Sequence, residues 1–157
     1  MNIENNLGFK SYNTLDKVKK LFDDKNYQGN NNIYILMNKD PRKHNGLVGG
    51  MEYPYMALLL NISDAGIGYF YLNFTKLLTV KKGYDNLNIY LDSYNFIPND
   101  SILSVEVKKF IFNKKKIQLI IKTKDKKVHY LFDNLENDAI PYYNENMLKL
   151  IEKYSKK

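Results

Sequence analysis

Apolar residues first recur with a helical period after Thr14. Leu15, Val18, Leu21 and Phe22 fall at spacings of three, four and seven, so they share one face. Thr14 stands where an N-cap belongs, and Asp16 lies in the first turn, where the helix dipole favours a carboxylate. This spacing predicts a short helix from Thr14 to about Lys25, stable only when docked on something else. The pattern then changes to that of strands. Ile33 to Met37 is a β-prone run closed by Asn38-Lys39-Asp40-Pro41. Tyr55 to Ser63 reads as a buried strand, Ser63-Asp64-Ala65-Gly66 as a turn, and Ile67 to Phe74 as the second arm of a hairpin. Leu77 to Val80 predicts another short strand, and Leu87 to Leu91 alternates cleanly.

Phe96-Ile97-Pro98 leads into a meander of three strands, over 102–112, 116–123 and 127–132, with turns at Asn113-Lys114-Lys115 and Lys124-Asp125-Lys126. Val105 and Val107 share a parity that Phe110 and Phe112 do not keep. That shift predicts a bulge near Lys108-Lys109, or a strand buried on both faces. A final helix is expected from Pro141, which is acceptable at a first helical position. Its stripe is Tyr143, Met147, Leu150, Ile151 and Tyr154.

Strands at hairpin distances, without helices between them, mean antiparallel pairing. The expected fold is therefore α+β and mainly β: an antiparallel barrel or sandwich of about seven strands, with a C-terminal capping helix and an extra N-terminal helix. No repeat or linker divides the chain. The reading is one domain over 1–157, with a helix and extension in 1–50 and the core in 55–155.

Three stretches of this pattern resemble bacterial pleckstrin-homology-like domains. The run Phe96-Ile97-Pro98-Asn99-Asp100-Ser101-Ile102-Leu103-Ser104-Val105 resembles the entry to their central meander. Residues 58–67 are similar to their first hairpin, and 117–130, followed by a helix, to the later strands. The resemblance covers about residues 55–155 and implies two packed antiparallel sheets capped by a helix, used for binding rather than catalysis. Some eukaryotic members recognise phosphoinositides through a basic motif after the first strand. The corresponding turn here is Asp64-Ala65-Gly66, acidic and not basic, so that recognition is not carried over.

Composition narrows the chemistry. The chain has 157 residues, no cysteine and no tryptophan. That excludes a disulfide framework, thiolate metal sites and a cysteine nucleophile. Two histidines without cysteine argue against a transition-metal site, and no cofactor motif is present. No apolar run is long enough to span a membrane. Residues 1–6 have neither a basic start nor an apolar stretch, so a cytoplasmic protein, free or peripheral to the membrane, is expected. The net charge is +7, from 23 Lys and one Arg against 17 acids. Lysine, with 21 Asn, also reflects A/T-rich codons, as in an A/T-rich bacterial genome, so charge alone is weaker evidence than its size suggests. It still attracts nucleic acid or anionic lipid.

Two stretches are candidates for contact with a ligand or partner. Residues 108–127 hold nine lysines against Asp125 alone, with Lys114, Lys115, Lys116, Lys126 and Lys127 at two turns. They read either as a contact for lipid headgroups or phosphates, or as solvated turns that discourage aggregation. The loop 39–52 gathers Arg42, Lys43 and His44 with Gly46, Gly49 and Gly50. Catalysis there would use His44 as acid or base and Arg42 as an anion clamp, but the glycine spacing is no nucleotide fingerprint. His129, in a strand, is expected to point outward or into a satisfied hydrogen bond. Tyr69, Phe70 and Tyr71 put aromatics on both faces of the first hairpin, leaving one face exposed or covered by the N-terminal helix. The function read from sequence is a non-enzymatic binding or scaffolding module for a protein partner or an anionic membrane surface. Nucleic-acid binding through 108–127, and an enzyme using the 39–52 loop, are the alternatives. Oligomeric state is not legible.

Overall fold

A computed structural model describes residues 6–8, 12–26, 29–40, 57–74 and 87–155. The expected strand at 77–80 and the loop residues Arg42, Lys43 and His44 lie outside these described residues. The described strands are β1 (Asn6–Gly8), β2 (Ile33–Lys39), β3 (Ala57–Ile62), β4 (Gly66–Phe74), β5 (Leu87–Tyr90), β6 (Asn95–Pro98), β7 (Ile102–Lys109), β8 (Lys116–Thr123) and β9 (Val128–Asn134). The helices are α1 (Leu15–Asp23) and α2 (Tyr143–Tyr154). All strand pairs are antiparallel, in the order β1-β5-β4-β3-β2-β9-β8-β7, and β6 pairs with β4. The chain is thus mainly antiparallel β with one helix before most of the sheet and one after it.

The path from β1 to β7 is open, but one segment bends it back on itself. Residues 95–98 pair with β4, and a single 3-10 turn, Asn99–Ser101, carries the chain straight into β7 on β8. Backbone bonds from Asn99 to Ala65 (3.0 Å) and from Lys124 to Ser101 (2.9 Å) fix that corner. The register shift in β7 lies between Ile102 and Ser104, not near Lys108-Lys109. β7 also ends at Lys109, so the change of parity at Phe110 marks the end of the strand. Neither a late bulge nor a strand buried on both faces is needed.

β2 and β3 are buried on both faces, and the cross-strand register shows what covers each. Leu36, Leu59 and Phe70 align on one face. There the Phe22 ring of α1 meets Phe70 at 5.2 Å between centroids and Tyr34 at 5.8 Å. Helix α1 therefore covers one aromatic face of the first hairpin, through Val18, Leu21 and Phe22. Thr14 holds the N-cap position, although its side chain makes no capping bond. Met37, Leu58 and Tyr71 align on the other face, inside the curl, with Leu119 and Leu131 across β8 and β9. Helix α2 begins at Tyr143, two residues after Pro141, and buries Tyr143, Met147 and Leu150. It rests on β2 and reaches β7, where Ser155 bridges Val107. Among the described residues no helix is long and apolar enough to cross a membrane.

Candidate functional site

The two lysine groups lie at opposite ends of β8. Lys114, Lys115 and Lys116 stand at its start and Lys126 and Lys127 beyond its end, separated by roughly 24 Å of extended strand. The structure does not bring them into one patch. It instead joins Lys114–Lys116 with Lys108 and Lys109, because β7 returns along β8 with Lys108 opposite Gln118 and Lys109 opposite Ile117.

Between these lysines the chain makes a turn of apolar residues. The sequence Lys108-Lys109-Phe110-Ile111-Phe112-Asn113-Lys114-Lys115-Lys116 has five lysines, three large apolar residues and no carboxylate. The loop is closed by Phe110 N–H to Lys116 O (3.2 Å) and Lys116 N–H to Asn113 O (3.0 Å). The Asn113 side chain also accepts the Lys115 N–H at 3.1 Å. Phe112 is 100% exposed and Ile111 87% exposed. These two residues were not legible as surface, since both lie inside the expected strand 102–112, whose change of parity reads as a bulge or as burial on both faces. The available signal was their flanking by lysines on both sides, immediately before an Asn turn. Nearby, Glu106 is held by Lys108 and Lys122, each at 3.7 Å. Lys116 lies 5.8 Å from the Phe132 ring centroid. Four of the five lysines are exposed.

The other lysine turn is differently built. Asp125 pairs with Lys127 at 2.8 Å and accepts the Thr123 hydroxyl at 2.5 Å. Those hydrogen bonds hold its carboxyl down at about 2. Lys126 takes a φ of 65° in this tight turn. Lys127 is therefore largely neutralised by its own turn and adds less to any anionic contact than the lysines of the β7–β8 tip.

His129 does not point outward. Its register partner is Ile121, on the inner face that Leu119 and Leu131 also occupy. The imidazole lies 6.4 Å from the Tyr69 ring, between centroids, and no hydrogen bond joins it to a described residue. It separates two depressions at the mouth of the curl. The smaller, about 140 Å³, includes Lys39, Tyr71 and Tyr130. The larger, about 370 Å³, includes Tyr69, Phe96, Pro98, Ser101 and Lys127. Burial, then the nearby Lys127, lowers the His129 pKa; Asp125 opposes this and Lys39 adds to it. Burial also lowers the Lys39 ammonium, which sits 4.8 Å from the Tyr71 ring centroid. The Tyr69 phenol is raised by burial and by Tyr71.

The oxygen-bearing side chains of 133–138 span the last two residues of β9 and the start of its link to α2. Asn144 accepts the Asn137 N–H at 2.7 Å and donates to Asp138 at 2.9 Å. Among the described residues no group of three or more His, Asp or Glu is placed to hold a metal ion. No family model, curated protein or solved structure matches the chain.

Proposed function

We propose that the chain is a binding module that docks on an anionic membrane surface through the tip of its β7–β8 hairpin. The observation that carries this is the pair Ile111 and Phe112, exposed at the end of a hairpin and bracketed by five lysines. Large apolar side chains presented to water at a projecting tip are costly unless something covers them. Stable attachment to a bilayer takes two signals together, an apolar insertion and a basic patch, and this tip supplies both. Each lysine near an anionic surface is worth about 1 kcal/mol. Burying a side chain such as Ile or Phe adds about 1.5–3 kcal/mol.

Nucleic acid fits less well. Base readout favours arginine, and the chain has one; a single exposed ring at a convex tip offers no platform for successive bases. On this reading the chain is a pleckstrin-homology-like module without catalysis, lying at the cytoplasmic leaflet. The antiparallel strands leading into a capping helix are in keeping with that resemblance.

Co-sedimentation with vesicles tests it. The protein is expected to pellet with anionic vesicles and not neutral ones, with binding weakened by salt. Binding should be lost when Lys114, Lys115 and Lys116 are changed together to Gln. No pelleting with anionic vesicles at low salt sinks the membrane reading and favours a protein partner for the same tip.

A further inference from the structure

We infer that the C-terminal end of α2 is a second contact of the same membrane interface, with Lys153 and Tyr154 at the level of the lipid headgroups. The inference rests on docking of the β7–β8 hairpin and adds to it the orientation in which the molecule sits. The two elements are joined by a parallel bridge between Ser155, just past α2, and Val107 in β7. Val107 lies two residues before the end of β7, so the helix end stands against the base of the tip. Because the bridge is parallel, the backbone leaving α2 runs along β7 towards the tip and not away from it. From Val107 to Ile111 the chain spans at most roughly 13 Å of extended strand. Apolar side chains lodged at a membrane interface sink about 5–10 Å into the boundary between headgroups and acyl chains. A hairpin that buries Ile111 and Phe112 to that depth brings Val107, and the helix end bridged to it, to the headgroup layer.

The side chains at that level suit it. Lys153 is exposed, and its ammonium lies 5.2 Å from the ring centroid of the half-buried Tyr154. Tyrosine rings, and lysines whose stems lie on apolar surface while the charge stays in water, settle at the boundary between lipid and water. Lys153 also stands in the last turn of α2, where the helix dipole favours a cation. Lys149, one turn earlier, is engaged by Glu145 at 2.6 Å, and the exposed Glu152 opposes the contact. Lys153 thus extends the basic surface of the tip from β7 and β8 onto α2. The same orientation turns the exposed Lys124, beyond the other end of β8, away from the bilayer.

The test uses the full chain and vesicles of phosphatidylglycerol and phosphatidylcholine. The sequence has no cysteine, so Lys153→Cys and Lys124→Cys each place one nitroxide label at an exposed position. On vesicles the label at 153 is expected to lose its accessibility to a water-soluble nickel relaxant, while the label at 124 keeps it. In co-sedimentation, Lys153→Gln should weaken binding about fivefold and Lys124→Gln should leave it unchanged. A parent protein that pellets while the label at 153 stays as accessible as that at 124 overturns the orientation and spares the hairpin. So does pelleting of Lys153→Gln as tight as that of the parent. A parent that does not pellet with these vesicles at low salt overturns both readings.

Discussion

The side-chain oxygen of Asn146, on the closing helix α2, accepts a hydrogen bond from the backbone N–H of Tyr34 in β2, at 3.0 Å and across 112 residues of sequence. The same amide donates to Tyr142 O at 2.8 Å, so a buried polar side chain within the apolar face of α2 has both ends paired. It fixes the helix on the strand in one register, which apolar packing alone does not specify. Asn146→Ala leaves the Tyr34 N–H buried without this partner and is expected to cost about 1–3 kcal/mol. Urea unfolding of the two proteins measures it, and a loss well below that range contradicts the pairing.

Asp133 makes stability depend on pH in the direction opposite to most carboxylates. Burial raises its pKa from 3.8 to about 6, against the pull of the Asn134 N–H and Lys116. The folded protein therefore holds a proton on Asp133 between those values that the unfolded chain has released. This stability is present at pH 4 and is lost as pH rises towards 6, amounting to at most about 3 kcal/mol. Asp133→Asn removes the dependence while keeping an acceptor for Asn38, whose side chain donates to Asp133 at 3.0 Å. Relative to the parent, the variant should gain about 2 kcal/mol between pH 4 and pH 8. A pH-independent difference in denaturation midpoints would count against the buried carboxyl.

Much of the fold was legible because the signals were periodic. The α1 stripe, the hairpin turning at Asp64, the strand at 116–123 and the α2 stripe all follow from spacing and turn residues. The end of β7 was not, since Phe110, Ile111 and Phe112 look like core to any rule that buries apolar side chains. The candidate surface was hidden by the same rule that found the core. The lysines themselves were legible, but their grouping was not: pairing of β7 with β8 places Lys108 and Lys109 beside Lys114–Lys116 and sends Lys126 and Lys127 to the far end. His129 was misread because the inward face of β9 is decided by its partners in β8, which alternation within 128–132 does not reveal.

Asn61 is fully buried in β3, and neither the oxygen nor the nitrogen of its side-chain amide has a hydrogen-bonding partner among the described residues. It aligns with Tyr34 and Gly68, on the face that α1 covers. A buried amide left in that state costs stability, and an apolar side chain of similar volume does not carry the cost. Asn61→Leu is expected to stabilise the protein by about 1 kcal/mol. A lower melting temperature for the variant would mean that the amide serves a purpose.

Gly66 holds the corner where β4 meets β6. Its φ is +150°, and a Cβ there would stand 2.3 Å from Ile97 O and 3.0 Å from the Pro98 Cα. Both contacts are backbone, which cannot turn aside. Gly66→Ala should therefore destabilise the protein by more than about 1 kcal/mol, with amide exchange rising first in β6. Unchanged protection at Ile97 and Phe96 would contradict this account of the corner.

The most direct test of the central claim uses the absence of tryptophan from the chain. Phe112→Trp places the sole indole at the apolar tip, where the exposed site tolerates the change. With anionic vesicles at low salt, its emission should shift to the blue and be quenched by lipids brominated along their acyl chains; neutral vesicles should leave it unchanged. An indole that keeps its water-exposed emission in the presence of anionic vesicles would contradict docking of this hairpin on the membrane.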